Sequence, residues 1–221
     1  MISIIIPTYG RADRIEEVAK NVHDNTLSHH ELLFVYEADD KATEAILSRI
    51  DIDGNWFTVR NHGPKNYAGA IQSGFDWSLG RYVFLGADDL RFDMGWDGPA
   101  LKLMVDPIKV VGTNDLGNTE VMNGEHATHY LVDRRYISDV GGTIDGGPGS
   151  FLHPGYDHNY TDTEFIGVAK SRGVFAPCLE SIVEHKHFSF GKSRQDSTYT
   201  KGYAKINQDA QLFAERVKLW S

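Results

Sequence analysis

The segment GRYVFLGADD, residues 80–89, joins a short apolar stretch to two adjacent acidic residues. Its centre, Tyr82 to Leu85, has the composition of a buried strand, and Asp88 and Asp89 follow where that strand ends. Like charges this close repel each other and raise each other's pKa unless a cation is bound. The segment therefore predicts a strand that ends in a ligand-binding turn, with a solvated surface turn as the alternative.

The same strand-and-turn pattern repeats upstream of this segment. Residues 2–6 are a nearly continuous isoleucine run, as in a parallel strand covered on both faces, and residues 32–36 and 56–60 predict two further strands. Helical spacing of apolar residues separates them; in the third helix the inner face is Ala68, Ile71, Phe75 and Leu79, with Trp77 also expected in the core. This alternation predicts an α/β fold, a doubly wound and mainly parallel sheet with helices on both faces.

The carboxyl ends of these strands meet at one edge, which is where doubly wound sheets bind ligands. The residues expected at that edge are mostly acidic or aromatic: Thr8, Tyr9, Arg11, Glu37, Asp39, Asp40, Asp88 and Asp89. Acidic clusters after separate strands are difficult to explain by solubility alone. They predict a site where a divalent cation links carboxylates to an anionic ligand, since Mg²⁺ and Mn²⁺ accept oxygen ligands from both.

The second part of the chain has a less regular pattern. We expect one domain over residues 1–190, made of a first half (1–105) that carries the acidic edge and a second half (106–190). Residues 191–221 then form a lid loop and a C-terminal helix that packs on the same domain through Ile206, Ala210, Phe213, Val217 and Trp220. The other predicted elements are strands at 109–112, 127–132 and 181–188, a glycine-rich loop at 141–149 and a helix at 162–172.

Composition narrows the functional classes. The formal net charge of −9 argues against nucleic-acid binding through a basic face. No segment approaches the roughly 20 apolar residues of a membrane span, and Met1 to Ile6 is too short for a secretory signal, so we expect a cytoplasmic protein. Cys178, the single cysteine, is expected to be a buried apolar residue. Neither a Gly-x-Gly-x-x-Gly nor a P-loop motif is present, which excludes the common dinucleotide and P-loop enzymes.

Two motifs resemble the GT-A-fold glycosyltransferases, especially the inverting family two, and the resemblance extends from residue 2 to about residue 188. Pro7-Thr8-Tyr9-Gly10-Arg11 resembles the segment that cradles the nucleotide base. Residues 66–70 and 80–89 look like the block leading to the family's Asp-x-Asp motif, although Gly86 stands where its first acid is common. The resemblance implies that these residues bind the donor: Pro7, Thr8, Tyr9, Arg11, Glu37, Asp39, Asn66, Gly69 and Asp88.

The candidate catalytic base lies in the segment Tyr160 to Phe165, which is similar to the family's Glu-Asp segment. The Asp of that segment is usually the base. Here Thr161 replaces the Glu, so that Asp162 is the first candidate and Glu164 the second. The alternative for Asp162 is helix capping, because an acid is favoured at a helix start in any case.

The remaining candidates are two histidines and a lysine. His185 and His187 alternate along a predicted strand and could reach one ion, as a late histidine does in several GT-A enzymes, or could be ordinary surface histidines. The resemblance implies a metal site of Asp88, Asp89, His185 and His187, with most weight on Asp88. Lys192 could meet a diphosphate from a lid, or could belong to an ordinary basic surface loop. His126, His129, His153 and His158 match no closed zinc site.

The resemblance implies a metal-dependent glycosyltransferase of the hexosyltransferase type that uses Mn²⁺ or Mg²⁺, with a catalytic domain over residues 1–190 made of a nucleotide-binding half (1–105) and an acceptor-binding half (106–190). The resemblance implies a nucleotide-sugar donor, with a UDP-sugar favoured, a hydroxyl acceptor and inversion at the transferred sugar. A catalytically silent nucleotide-sugar-binding module is one alternative, favoured by Gly86 and Thr161. A sugar-phosphate nucleotidyltransferase is another, although it normally has a glycine-rich basic loop after the first strand. The compact chain also resembles bacteriophage-encoded glycosyltransferases.

Overall fold

A computed structural model describes residues 1–51 and 53–221. Its strands are β1 (Ile2–Thr8), β2 (His30–Tyr36), β3 (Trp56–Arg60), β4 (Tyr82–Leu85), β5 (Leu90–Phe92), β6 (Val110–Asn114), β7 (Tyr130–Asp133) and β8 (Phe175–His185). Its α-helices are α1 (Ile15–Asn25), α2 (Lys41–Leu47), α3 (Tyr67–Trp77), α4 (Asp97–Leu103), α5 (Thr119–Met122), α6 (Thr161–Ser171), α7 (Ser197–Tyr203) and α8 (Ile206–Arg216). Short helical turns lie at Ala12–Arg14, Tyr136–Val140, Phe188–Phe190 and Val217–Leu219.

The strands form one sheet in the order β3-β2-β1-β4-β7-β6-β8-β5. The first four are parallel, with Ile6 opposite Phe34 and Ile5 opposite Leu85, so their carboxyl ends share one edge. Beyond β4 the sheet is mixed. β7 is antiparallel to both its neighbours, β8 is parallel to β6, and β5 is antiparallel to β8. The predicted doubly wound α/β fold is confirmed, and β7 and β5 are its antiparallel strands.

Both faces of β1, β2 and β4 are buried, which explains the isoleucine run of β1. Ile4 and Ile6 point to one side, where they belong to the same core cluster as Val18 and Val22 of α1. Ile5 points to the other side and packs in a second cluster with α3. Complete burial of each such side chain stabilises the fold by about 1.5–3 kcal/mol. Because the two cores hold the strands in place, they also fix where the strands end.

Helix α3 has defined ends that correct two expectations. Asn66 caps its start by accepting a hydrogen bond from the Gly69 N–H at 2.8 Å. After Trp77 the chain leaves the helix, and the buried Glu31 carboxylate accepts the Leu79 N–H at 2.6 Å. The expectation that Leu79 and Trp77 belong to the core is therefore wrong: they are 77% and 69% exposed.

In the second half, the predicted boundaries are less accurate. Strand β8 begins at Phe175, six residues before the predicted start, because Pro177 and Glu180 interrupt the apolar pattern without ending the strand. Residues 141–149 contain no helix or strand, as predicted, and Arg172 binds the Gly141 carbonyl at 2.6 Å. Cys178 is buried, also as predicted.

The C-terminal helix α8 differs from expectation in the residues that it buries. Its buried side chains are charged, Asp209 and Arg216, while the apolar residues of the expected face are only partly buried. Among these, Phe213 stacks on Tyr160 with ring centroids 5.1 Å apart. Within the described residues, no helix is both long and apolar enough to span a bilayer.

Candidate active site

A cavity of about 610 Å³ opens at the carboxyl edge of β1, β2 and β4. Most of the sequence-predicted site residues line it: Pro7, Thr8, Tyr9, Arg11, Glu37, Asn66, Asp88, Asp89, Asp162, His185 and His187. Four others do not belong to its wall, namely Asp39, Gly69, Glu164 and Lys192. The structure therefore brings carboxylates from the separate segments of the chain to one cavity.

Gly86, the position of the missing first acid, has no room for a side chain. A Cβ atom there would lie 2.5 Å from Cδ1 of Ile6 and 3.1 Å from the carbonyl oxygen of Ile5. In addition, the hydroxyl of Tyr67 donates a hydrogen bond to the Gly86 carbonyl at 3.1 Å. Close packing against β1 explains the glycine, and the acidic function is left to Asp88 and Asp89.

Asp88 is buried and held by an arginine from the segment after β1. Arg11 Nη1 donates to Asp88 Oδ1 at 2.7 Å, and Arg11 Nε donates to Asp196 Oδ2 at 2.9 Å. Burial and the neighbouring charge of Asp89 raise the pKa of Asp88, whereas Arg11 opposes the rise. The guanidinium thus partly neutralises the acidic pair from one side.

Asp89 is buried beside Asp88 but has a free oxygen atom. Its Oδ2 accepts a hydrogen bond from the Tyr199 hydroxyl at 2.7 Å, and its Oδ1 lies 3.4 Å from Nε2 of His185. Among the described residues, Oδ1 has no hydrogen-bond partner, and neither has Nδ1 of His185. Burial raises the pKa of Asp89, but His185, Arg11 and Tyr199 more than offset it, so that the pKa lies below its ordinary value.

A third imidazole, that of His129, faces this pair. His129 Nδ1 donates to the Leu85 carbonyl at 3.0 Å, and burial together with the nearby His185 lowers the pKa of His129 to about 4. Its Nε2 therefore carries no proton and has a free lone pair, and this atom has no hydrogen-bond partner among the described residues. The rings of His129 and His185 are 5.0 Å apart. Sequence reasoning missed His129, because its spacing matched no metal motif.

The donor atoms at Asp89 and His185 suit a divalent cation. A buried carboxylate oxygen without a partner costs about 1–3 kcal/mol, which a bound cation would relieve. Within residues 1–51 and 53–221, no three His, Cys, Asp or Glu side chains are grouped closely enough to enclose an ion. Mg²⁺ commonly takes one or two protein carboxylates and completes its shell with phosphate oxygens and water. Asp89 and His185 therefore fit an ion that a diphosphate helps to hold.

His187 is less available for a metal. Its Nδ1 accepts the Ser189 N–H at 3.2 Å and lies 2.6 Å from the Ser189 hydroxyl, so it caps the short helical turn that follows β8. Burial and the neighbouring His185 lower the pKa of His187 to about 4. The structure leaves Nε2 as the only atom of this ring that could reach a ligand.

Asp162 lies in the cavity wall at the start of α6, paired with a histidine. Its Oδ2 is 3.2 Å from Nε2 of His126, and its Oδ1 accepts the Thr163 N–H at 2.9 Å. Burial raises the pKa of Asp162, but the hydrogen bond and charge of His126 outweigh burial and bring the pKa below its ordinary value. Conversely, burial lowers the pKa of His126, and Asp162 raises it by more. The carboxylate is ionised and faces the cavity.

Glu164, the second candidate base, is fully engaged elsewhere. Its carboxylate is buried, receives Arg216 Nε at 2.7 Å and Nη2 at 2.6 Å, and accepts the Tyr156 hydroxyl at 2.7 Å. It holds α8 against α6 and leaves Asp162 as the carboxylate that reaches the cavity.

The other candidates outside the wall also have local roles. Asp39 is exposed and pairs with Lys65 at 2.5 Å, and Lys192 pairs with Glu184 at 3.0 Å. Gly69 lets α3 approach the preceding loop, because a Cβ there would lie 2.1 Å from the Pro64 carbonyl oxygen.

Sequence reasoning also missed the contribution of α7. Asp196 caps this helix by accepting the Thr198 and Tyr199 N–H groups at 3.0 Å each, a pattern visible in the sequence. Its ion pair with Arg11 joins positions 185 residues apart, which no local pattern indicates. Tyr199 lies under the Arg11 guanidinium at 4.1 Å and binds Asp89.

The chain is similar in sequence to one protein family and in fold to several solved structures. Residues 3–184 match the model of the family described as Glycosyl transferase family 2. A comparison with curated protein sequences found no match.

Solved structures of similar fold include the mannosyltransferase PcManGT from Pyrobaculum calidifontis, in complex with GDP-Man and Mn²⁺. It superposes with a TM-score of 0.72 at 17% identity over 98% of this chain, and the chain spans 64% of its length. Glucosyl-3-phosphoglycerate synthase from Mycobacterium tuberculosis, in complex with Mn²⁺, UDP-Glc and phosphoglyceric acid, gives a TM-score of 0.66 at 13% identity over 99% of this chain and 80% of its own. At such identities the likeness concerns the fold, whereas the family match covers most of the sequence. The chain therefore belongs to glycosyl transferase family 2 and has the GT-A fold.

Proposed function

We propose that this chain is a metal-dependent glycosyltransferase that moves a sugar from a nucleoside-diphosphate sugar to a hydroxyl acceptor. One observation carries the proposal. The buried Asp89 carboxylate, whose Oδ1 has no hydrogen-bond partner among the described residues and lies 3.4 Å from Nε2 of His185, shares a single cavity with the ionised carboxylate of Asp162. Cation ligands and a candidate base are the two groups that such a transfer needs.

On the donor side, the residues after β1, β2 and β4 bind the nucleotide and its diphosphate. Pro7 to Tyr9 and Glu37 form the part of the wall where the resemblance predicts the base and ribose, and Arg11 holds Asp88 in place. Asp89 and His185 would hold Mn²⁺ or Mg²⁺, which when bound stabilises negative charge on the leaving diphosphate. The site thus orients the donor with its sugar directed into the cavity.

On the acceptor side, Asp162 removes a proton from the attacking hydroxyl. The acceptor oxygen forms a bond to the anomeric carbon while the bond from that carbon to the diphosphate oxygen breaks, and the proton passes to Asp162. His126 keeps Asp162 ionised and fixes its orientation. Attack from the face opposite the leaving group gives inversion.

Several finer features belong to this proposal and rest on the sequence resemblance. They are transfer of a hexose, a UDP-sugar as donor, inversion and a bacteriophage-type origin; a cytoplasmic location is proposed from the composition of the sequence instead. The two similar structures contain GDP-Man and UDP-Glc, so both nucleotides belong in the test.

A catalytically silent nucleotide-sugar-binding module is the second candidate. Gly86 favours it, because the packing against Ile6 excludes the acid that commonly begins the motif. Such a module would bind the donor with Mn²⁺ but release no nucleoside diphosphate.

The test measures nucleoside diphosphate release from UDP-glucose and GDP-mannose with Mn²⁺, against a panel of hydroxyl acceptors and water alone. We expect turnover with one donor and a fall of about 100-fold or more in Asp162→Asn and Asp89→Asn, the usual range for a lost base or charge. Asp24→Asn, which alters an exposed surface ion pair, is the matched control. Wild-type rates in both site variants would contradict the roles assigned here, and calorimetric donor binding without turnover would favour the silent module.

A further inference from the structure

Residues 157–162 form a continuous part of the cavity wall that ends in the candidate base, Asp162. Residues 157–160 are a loop, and Asp162 is the second residue of α6. Behind this wall lies α8, whose buried side chains are charged. A helix that buries charges against a site wall must stabilise those charges by specific contacts, and the contacts show what the helix does.

Asp209 of α8 binds the loop through its backbone. The carboxylate accepts the N–H groups of Asp157 at 2.8 Å, His158 at 3.1 Å and Asn159 at 2.9 Å. Burial raises the pKa of Asp209, but these hydrogen bonds outweigh it and keep the pKa below its ordinary value, so the carboxylate is charged. Three successive N–H groups aimed at one carboxylate fix the course of the loop by charge-assisted hydrogen bonds.

Phe213 of α8 contacts the next residue of the wall, Tyr160. Tyr160 has a φ of 66°, in the left-handed region that non-glycine residues seldom adopt. Its ring stacks on Phe213 with a centroid separation of 5.1 Å and an angle of 23°. A strained backbone of this kind persists only where its surroundings hold it, and here the stack lies directly before α6.

Arg216 of α8 binds the first turn of α6. Its Nε and Nη2 donate to the Glu164 carboxylate, two residues beyond Asp162, at 2.7 and 2.6 Å. Positions 209, 213 and 216 follow the spacing of a single helix face. One stripe of α8 therefore contacts the wall before, at and after the point where α6 begins.

We propose that this stripe, Asp209, Phe213 and Arg216, positions the 157–162 wall and the carboxylate of Asp162 for sugar transfer. The three side chains are positioning residues, because they act through the loop and through α6 without lining the cavity. The inference rests on the proposed function and deepens it by assigning the C-terminal helix to the acceptor side of the site.

The experiment compares Asp209→Asn and Phe213→Leu with wild type, using whichever of UDP-glucose or GDP-mannose is turned over with Mn²⁺. Asn keeps the size of Asp209 but turns an N–H₂ group toward the loop N–H groups. Phe213→Tyr keeps the ring stack and serves as the conservative rescue. Glu215→Gln removes an exposed acid from the same helix and is the charge-matched control. Donor binding by calorimetry reports the fraction of correctly folded sites.

We expect kcat to fall about tenfold in Asp209→Asn, as for the loss of one charge-assisted hydrogen bond, and by about threefold to tenfold in Phe213→Leu, as for the loss of an aromatic stack, while the KM for the donor is unchanged. Phe213→Tyr should retain most of the turnover, and the amides of residues 157–159 should exchange faster in Asp209→Asn. A purely structural role would lower the number of donor sites and leave kcat per site unaltered, which would overturn the inference. Unaltered kcat with faster amide exchange would overturn it as well. A wild-type chain that turns over neither donor would refute the proposed function itself.

Discussion

At the scale of single residues, the surroundings of Gly86, Asp88 and Asp89 differ. Gly86 stands where the resemblance predicts an acid, and a Cβ atom there would lie 2.5 Å from Cδ1 of Ile6. The two following acids differ in their surroundings. Arg11 donates a hydrogen bond to Asp88 at 2.7 Å and lies 3.5 Å from Oδ2 of Asp89, whereas Oδ1 of Asp89 has no hydrogen-bond partner among the described residues and faces His185. The sequence alone placed most weight on Asp88, since it could not show which acid the arginine would bind. On the geometry, Asp89 is the stronger candidate metal ligand.

Restoring the missing acid should therefore destabilise the protein. In Gly86→Asp the new side chain meets Ile6 and the backbone of β1, and we expect a loss of about 1–3 kcal/mol in the free energy of unfolding. Urea denaturation would measure it. Gly98→Asp is the control, since a Cβ at Gly98 meets no atom within 4 Å. Equal stability of the two variants would show that Ile5 and Ile6 of β1 can move enough to accommodate the new side chain.

The Asp162–His126 pair predicts the pH dependence of transfer. Because His126 lowers the pKa of Asp162 against the effect of burial, His126→Asn should raise that pKa and move the acid limb of kcat/KM to higher pH. Glu120 supports the charge on His126, and Lys170 opposes it. Rates measured from pH 4 to 9 would test this, and an acid limb at the same pH in both proteins would contradict it.

The same pair also predicts how stability varies with pH. The contribution from His126, whose folded pKa is raised, is complete below the unfolded value of about 6.5 and is lost as the pH rises through the folded pKa. The contribution from Asp162, whose folded pKa is lowered, is lost as the pH falls through its folded pKa. His126→Asn should therefore destabilise the protein more at pH 6 than at pH 9 in urea denaturation. A constant difference between the two pH values would mean that the pair is not ionic.

At the scale of elements, the sequence predicts local features well and distant contacts poorly. The bounds of β3 and β4 agree with prediction because short apolar runs with turn residues on either side are local signals. The predicted start of strand β8 was wrong, since Pro177 and Glu180 interrupt its apolar pattern, while residues 175–178 and Ile182 pair with β6 across a shift in register. The Asp162–His126 contact and the Asp209 contacts with the loop join residues 36 and 50 to 52 positions apart. Spacing within a segment carries no information about such pairs.

Asp196 both caps α7 and pairs with Arg11, so its removal should loosen the start of this helix. Asp196→Ala removes both the cap and the ion pair with Arg11, so we expect a loss of about 1 kcal/mol and faster amide exchange at Thr198 and Tyr199. Asp196→Ser keeps a capping oxygen but not the charge, and it should restore most of the protection. If the amides of Thr198 and Tyr199 exchanged as fast in Asp196→Ser as in Asp196→Ala, the ion pair with Arg11 would be the main interaction that holds the start of α7.

At the scale of the whole molecule, the carboxyl edge of a doubly wound sheet gathers residues from distant parts of the chain. The fold and this edge were predictable, because apolar strands alternate with amphipathic helices and acids follow several strand ends. The different contacts of the acidic residues at this edge were not predictable, since they depend on which partner each acid meets after folding.

The small number of protein ligands predicts that metal and nucleotide bind together. Asp89 and His185 offer two donor atoms, so Mn²⁺ alone should bind weakly, and UDP or GDP should tighten it. By linkage, Mn²⁺ must raise the nucleotide affinity by the same factor. Calorimetry in each order would measure both factors, and the melting temperature should rise more with both ligands than with either alone. Tight Mn²⁺ binding in the absence of nucleotide would contradict this arrangement.

The ion pair between Arg11 and Asp196 has a consequence for biosynthesis. Ribosomes extend a chain by about 5–20 residues per second, so roughly 10 to 40 s pass between the appearance of residue 11 and that of residue 196. The arginine is translated early, whereas its second carboxylate partner and the tyrosine beneath it are among the later residues. A nascent chain can therefore complete its parallel strands well before Asp196 and Tyr199 exist, and this wall of the cavity can form only after residue 199 has been added.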